Sequence, residues 1–172
     1  FVGKLNKSKG FHIFGRSIIK ILKKYKDWRS IIIGDEPREK YNFKHSRLEY
    51  KGWITHKKTL DLYNITSISV IPSFWDEPFG RTAVEAASRG CATIISNRGG
   101  LAETVQNAIF LSQINHIELT KKIEYLIKNT RIRKKIQIDS YKNISHELDS
   151  NTRKIDTYRS ELLFKKNEIG RA

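Results

Sequence analysis

The sequence predicts an α/β fold in which a parallel sheet carries helices on both faces. Short apolar runs alternate along the chain with longer segments whose apolar residues recur at helical spacing. Because strands separated by helices pair in parallel, we expect both faces of the sheet to be covered. Ligands of such sheets bind outside the carboxyl ends of the strands, so we expect the functional site at that edge.

The first part of the chain supplies three strands and two helices. Apolar residues at helical spacing predict an amphipathic helix across residues 14–25, with lysines on its outer side. The other predicted elements are a strand end at 1–4, a polar loop at 5–10, strands at 29–34 and 47–52, an irregular stretch at 35–46 and a helix at 56–63.

The next part repeats the alternation. A strand at 67–71 ends at Pro72, which lacks a backbone donor, and a helix begins at Arg81 and is stopped by Gly90. The remaining predictions are strands at 91–96 and 108–111, with a turn and short helix at 99–105 between them.

After Ser112 the sequence predicts helices alone, at 117–128, 131–144 and 148–164, with a break at 145–150. We interpret them as a helical cover on the sheet. The expected organisation is one domain at 1–167, with the sheet in 1–112, the cover in 113–167 and a frayed tail at 168–172.

Chemistry is indicated by the loop and helix that follow the strand at 67–71. A helix that starts after Gly80 presents unpaired backbone N–H groups and a partial positive charge, which favour a phosphate. Glu77 precedes this turn, and Glu85 lies in about the second turn of the helix. Two carboxylates would repel a simple anion but suit a ligand with hydroxyl groups. On the residues alone, a proline-stiffened loop and a solvated glutamate remain an equal alternative.

These residues carry a resemblance to a known family. Glu77-Pro-Phe-Gly-Arg-Thr-Ala-Val-Glu85 resembles the E-x7-E signature of retaining glycosyltransferases with the GT-B fold, in the nucleotide-sugar-dependent family 4. Pro72-Ser73 and Gly99-Gly-Leu-Ala-Glu103 match the same pattern in order and spacing, as do the loop in residues 1–10 and the strand end in 31–37. Several spaced motifs are more specific than one glycine pattern. The resemblance implies a Rossmann-like sheet, the C-terminal half of a GT-B fold.

The resemblance implies three residues of the catalytic centre. Lys4 and Lys9 stand where the family has an Arg and a Lys, and would neutralise the donor diphosphate as it leaves. Lys4 keeps the charge of the family's Arg but lacks its bidentate fork. Glu77 would hold hydroxyls of the transferred sugar.

The resemblance also implies a donor-binding set, in which Glu85 accepts hydrogen bonds from the ribose hydroxyls. The other members are Phe79, Gly80, Arg81 and Thr82 at the sugar and phosphate, and Trp53 and Ile54 at the base. Arg81 as a solvated residue and Trp53 as a packing residue remain alternatives. The histidines show no metal-ligand spacing, and the family's GT-B members generally work without a metal, so we expect neither metal nor cofactor.

The amino-acid composition limits the classes of molecule that this chain is expected to bind. The net charge of +15 favours an anionic partner. Nucleic acid is disfavoured, because the cations are scattered rather than gathered with aromatic residues. An anionic membrane surface fits better, and no apolar run approaches the about 20 residues of a membrane span. A single cysteine, Cys91, indicates a reducing compartment and a core thiol, so we expect a cytoplasmic protein, peripheral on the membrane.

The chain opens with Phe1 in mid-strand, so we expect a piece of a longer protein whose N-terminal acceptor domain is absent. The parent enzyme would move a hexose from a nucleoside diphosphate sugar, with retention, to a glycan or lipid-linked acceptor in polysaccharide, lipopolysaccharide or glycolipid synthesis. We expect this fragment to bind donor with little or no turnover.

Other function classes stay open. A sugar-nucleotide epimerase on the same fold would need an acid and a base, and no such pair is apparent. A non-catalytic phosphate-binding or nucleotide-binding module would leave the spacing of Glu77 and Glu85 unexplained. Nucleic-acid binding is the weakest alternative, and predicts steeply salt-dependent binding that ignores Glu85.

Overall fold

The computed structural model describes residues 1–169, without the side chains of 145–149, 151 and 161–169. The tail predicted at 168–172 falls partly outside the described residues, which stop at Ile169. The elements, in chain order, are α1 (Phe11–Lys24), β1 (Ser30–Ile32), β2 (Leu48–Tyr50), α2 (His56–Asn64), β3 (Ile68–Ile71), α3 (Arg81–Ala87), β4 (Ala92–Ser96), α4 (Leu101–Thr104), β5 (Ile109–Leu111), α5 (His116–Lys128) and α6 (Thr130–Ile169).

Every pair of neighbouring strands is parallel, as the alternation of elements predicts. β1 pairs with β2, and β3, β4 and β5 pair in that order. The chain start runs beside β1, where the Gly3 N–H donates to the Ile33 carbonyl at 3.0 Å and the Ile33 N–H donates to the Phe1 carbonyl at 2.9 Å. The predicted strand end at 1–4 is therefore present as a short extended segment that runs parallel to β1.

The strands form two parallel sheets, and helices cover both faces of the one made by β3, β4 and β5, which confirms the predicted fold class. All of β4 is buried, and successive side chains along it point to opposite faces. Ile94 packs in one core cluster with α1 and α5, whereas Ile95 packs in a second cluster with α3, α4 and α6. Burying one such side chain fully is worth about 1.5–3 kcal/mol, so β4 is the centre of the hydrophobic core.

The end of α1 is fixed by a side chain from the start of β2. The Arg47 guanidinium donates to the carbonyl oxygens of Tyr25 at 2.7 Å and Lys26 at 2.6 Å, and also to that of Leu22. These contacts satisfy carbonyls that have no partner within the helix. Arg47 therefore joins α1 to the first pair of strands.

The C-terminal part differs from the sequence prediction. The predicted break at 145–150 is wrong, because α6 is a single helix of 40 residues. Residues 145–150 contain neither glycine nor proline, so nothing removes a helical hydrogen bond there. The first part of α6 packs on β4, α3 and α5, and the side chains of 152–160 are exposed. Within residues 1–169 no helix is long and apolar enough to cross a membrane.

Candidate functional site

A cavity of about 320 Å³ opens at the carboxyl ends of the first extended segment and of β3. Gly3 and Ile71 mark those two strand ends, Lys9 comes from the loop before α1, and the residues from Glu77 to Thr82 complete the wall. The cavity thus lies where a parallel sheet places its ligand.

Two loops that are distant in sequence meet at this cavity through one backbone carbonyl. The Ser8 carbonyl accepts the N–H groups of Phe74 at 2.8 Å and Trp75 at 3.2 Å, and the buried Ser73 hydroxyl at 3.3 Å. These bonds tie the segment after β3 to the loop before α1. They are the reason that Lys9 and Glu77 come together.

Lys9 and Glu77, both predicted in the catalytic centre, form an ion pair. The Lys9 Nζ lies 2.5 Å from the Glu77 Oε1, with 30% and 14% of the two side chains exposed. A carboxylate so little exposed gains from a cation in contact, because it has lost most of its water. The pair leaves the rest of the cavity wall to backbone groups.

A polar network that the sequence analysis missed holds the Lys9 loop in shape. The Asn6 side-chain oxygen accepts the Lys9 N–H at 3.0 Å and the Ser8 hydroxyl at 2.9 Å. The Asn6 amide donates to the Glu36 Oε2 at 3.3 Å, and Arg38 donates to Glu36 through Nε at 2.7 Å. Glu36 is 7% exposed, and the Arg38 guanidinium lowers the pKa of this carboxyl to about 2. Asn6 and Glu36 are thirty residues apart, and no local pattern in the sequence connects them.

The loop that carries Glu77 rests on a glycine pair. The Gly100 N–H donates to the Glu77 carbonyl at 2.7 Å. Gly99 has a φ of +54°, and a Cβ atom there would collide with the backbone of Glu77. The sequence predicts a turn before a short helix at this pair, which also belongs to the family motif Gly99-Gly-Leu-Ala-Glu103. Its role is to let two backbone segments touch and so to place Glu77.

The helix predicted after Gly80 starts at the cavity. Gly80 caps α3 with a φ of +75°, and Ala83, Ala86 and Ala87 are fully buried. Arg81 and Thr82 line the cavity as the first helical residues, whose N–H groups have no partner within a helix. The Phe79 side chain is 56% exposed beside them.

The other predicted donor-binding residues do not line the cavity. Glu85 projects from α3 toward α2, where the His56 Nε2 lies 3.1 Å from its Oε1. Trp53 is 77% exposed and Ile54 is half-buried, both just before α2. Lys4 is exposed and does not line the cavity, so its role stays a prediction.

Two further expectations concern metal and thiol chemistry. Among the side chains that the structure describes, there is no group of three or more His, Cys, Asp or Glu that could hold a metal ion. Metal independence of the reaction remains a prediction. Cys91 is fully buried, and burial raises the pKa of its thiol to about 12, in agreement with an inert core thiol.

Comparisons with known proteins bear on this geometry. The family model described as "Glycosyl transferases group 1" matches residues 1–143. Spore coat protein SA of Bacillus subtilis (strain 168) is 30% identical over 119 residues, which are 62% of this chain and 32% of that protein. This chain therefore spans about a third of that curated relative.

Solved structures give the same result for the fold. The C-terminal domain of a glycosyl transferase group 1 family protein (LpcC) from Francisella tularensis has a TM-score of 0.75 and 26% identity, covering 86% of this chain and 83% of that one. Anabaena Alr3699/HepE, solved in complex with UDP, has a TM-score of 0.73 and 20% identity, covering 92% of this chain and 48% of that one. The second likeness concerns the fold alone.

Proposed function

The chain belongs to the glycosyl transferases group 1 family, and from that premise we propose that it is the donor-binding domain of a glycosyltransferase. The donor is a nucleoside diphosphate sugar, from which the parent enzyme transfers a hexose with retention of configuration. One observation carries the proposal: the cavity brings Lys9, Glu77 and the first turn of α3 together, with Glu85 further along the same helix. A cation, a carboxylate and backbone donors match the phosphates and hydroxyls of such a donor.

Each group has a distinct task in the proposed reaction. As the bond from the anomeric carbon to the diphosphate oxygen breaks, negative charge grows on that oxygen. Lys9 and the N–H groups of Arg81 and Thr82 stabilise this charge. They lower the barrier only by the amount that they stabilise the transition state more than the bound donor. Glu77 accepts hydrogen bonds from sugar hydroxyls and keeps Lys9 in place until the diphosphate arrives. Glu85 accepts from the ribose.

The identity of the nucleotide is a finer part of the proposal. HepE has been solved in complex with UDP and with UDP-glucose, which makes UDP the first candidate to test. Trp53, exposed just before α2, offers an aromatic face on which a base could stack.

The rest of the reaction belongs to the whole protein. We propose an acceptor domain N-terminal to this chain, which completes the cleft and receives the glycan or lipid-linked acceptor. Synthesis of cell-surface polysaccharide, lipopolysaccharide or glycolipid at the cytoplasmic face of a membrane fits such an acceptor. The charge of +15 supports attraction to an anionic membrane surface. No metal or cofactor is needed for the steps above.

Titration calorimetry of the 172-residue chain with UDP, GDP and ADP tests the donor site. We expect saturable binding of one nucleotide, weakened about tenfold or more by Glu85→Ala, since a charged hydrogen-bond acceptor is lost. Asp61→Ala is the matched control, because it removes one exposed carboxylate from α2. The titrations are repeated at two salt concentrations.

The contrary result is weak binding of all three nucleotides, which salt abolishes and Glu85→Ala does not change. It would show a generic anion-binding surface. The proposed donor site would then be wrong.

A further inference from the structure

The inference concerns His56, which no motif singles out. His56 is the first residue of α2, whose start is fixed by the Thr55 side chain accepting the Lys58 N–H at 3.4 Å. The His56 Nε2 lies 3.1 Å from the Glu85 Oε1. An ionised carboxylate only accepts hydrogen bonds, so the Nε2 must carry the hydrogen and donate it to Glu85.

Among the described residues, this contact is one of two side-chain hydrogen bonds between α2 and α3, which also pack through Tyr63 and Ala86. His56 donates to Glu85, and the hydroxyl of the buried Tyr63 donates to the Thr82 carbonyl at 3.3 Å. The spacing of α2 and α3 is therefore set at both ends of α2. The His56 side chain is 68% exposed, so most of its ring is not packed against other residues.

Glu85 needs such a partner to act on a ribose. A glutamate side chain loses rotamer freedom when it is held in one position. A neighbour that holds one carboxylate oxygen in advance removes part of that loss from the binding step. The second oxygen and the remaining lone pairs of the first stay available for two hydroxyl groups.

We propose that His56 is a positioning residue for the nucleotide ribose, which holds the Glu85 carboxylate in the orientation that receives the ribose hydroxyls. It acts through Glu85 and does not contact the reacting atoms. The inference rests on the proposed function, because it assigns the ribose to Glu85. One helix start, capped by Thr55, would then serve both the base, through the preceding Trp53 and Ile54, and the ribose carboxylate, through His56.

The test is calorimetry with UDP, GDP and ADP and with their 2′,3′-dideoxy counterparts, on the 172-residue chain. We expect His56→Ala to weaken the bound ribonucleotide by about three- to fivefold, as for a partly exposed pair, and to leave the dideoxynucleotide unchanged. His56→Gln, whose amide can donate from a similar position, should restore binding. Lys57→Ala, an exposed cation at the next position, should change nothing.

A double variant completes the test. Once Glu85→Ala is present, adding His56→Ala should have no further effect, since the pathway runs through Glu85. If His56→Ala weakens ribonucleotide and dideoxynucleotide binding equally, the role of His56 is wrong but the proposed function stands. The same follows if the unaltered chain binds a ribonucleotide and His56→Ala does not weaken that binding. Failure of the unaltered chain to bind UDP, GDP or ADP overturns the proposed function, and this inference with it. Circular dichroism checks that the variants are folded.

Discussion

Lys9 and Glu77, two of the residues we propose to contact the donor, form an ion pair with each other. Each is predicted to face the donor, and in the structure each faces the other at 2.5 Å. The pair keeps a nearly dehydrated carboxylate compensated, and the donor must therefore replace a contact rather than fill an empty place. This exchange suits a site that releases its product, because the ion pair is recovered when the diphosphate leaves.

Replacing Lys9 tests its role at the diphosphate. We expect Lys9→Met to weaken binding of the preferred nucleoside diphosphate about tenfold, through loss of a charge-assisted bond, and to spare the corresponding nucleoside. Lys7→Met, a neighbouring exposed lysine of the same loop, is the matched control. Equal losses in the two variants, measured by calorimetry, would mean that only the overall charge of the loop matters.

At the scale of elements, the loop before α1 is held in shape by side chains from another loop. Asn6 holds the backbone of Lys9 and is itself held by Glu36, which Arg38 neutralises. The pKa of the Glu36 carboxyl is lowered from its ordinary value of 4.5 to about 2. Its ionised form is thus favoured in the folded state, and the unfolded state binds more protons as the pH falls between these values.

Glu36 therefore predicts an acid-sensitive contribution to stability. This contribution is complete above about pH 4.5 and is lost as the pH falls toward about 2. We expect Glu36→Gln to be less stable than the unaltered chain at neutral pH, with the difference shrinking in acid. Urea unfolding across this range measures it. Glu49→Gln, at an exposed site on β2, is the control, and a Glu36→Gln deficit that is independent of pH would contradict the prediction.

The elements themselves were largely predictable, and the exception is instructive. Apolar runs and helical spacing located every strand and the helices up to α5. The reason is that each element buries one of its own faces and so carries its own apolar pattern in the sequence. The break predicted in α6 rested on polar composition at 145–150. Polar residues without glycine or proline do not end a helix, so the composition was misleading there.

At the scale of the whole molecule, burial is concentrated in residues 1–144. Among the described side chains, Ile144 is the last one in the core clusters, and it packs with Ile95 and Leu101. Further along α6, residues 152–160 are exposed, including Ile155 and Tyr158. The sheet and its cover therefore do not depend on these side chains.

Truncation tests this division. A chain of residues 1–150 should unfold in urea within about 1 kcal/mol of the 172-residue chain, since exposed side chains contribute little to stability. A chain of residues 1–129 removes all of α6, including Ile144, and should lose several kcal/mol or fail to fold, because the sheet face under α6 is uncovered. A large loss already at 1–150 would show that the end of α6 supports the fold.

The sequence by itself determined the order of elements, the parallel sheet and the motif that places Glu77 and Glu85 around a helix start. These depend on local patterns, in which apolar periodicity, glycine and proline act over a few residues. Only the tertiary structure decided which residues support that motif: Glu36 under Asn6, Gly99 under Glu77 and His56 beside Glu85. Each of these contacts joins residues from different loops or helices, and their chemistry exists only once the sheet has brought its loops to one edge.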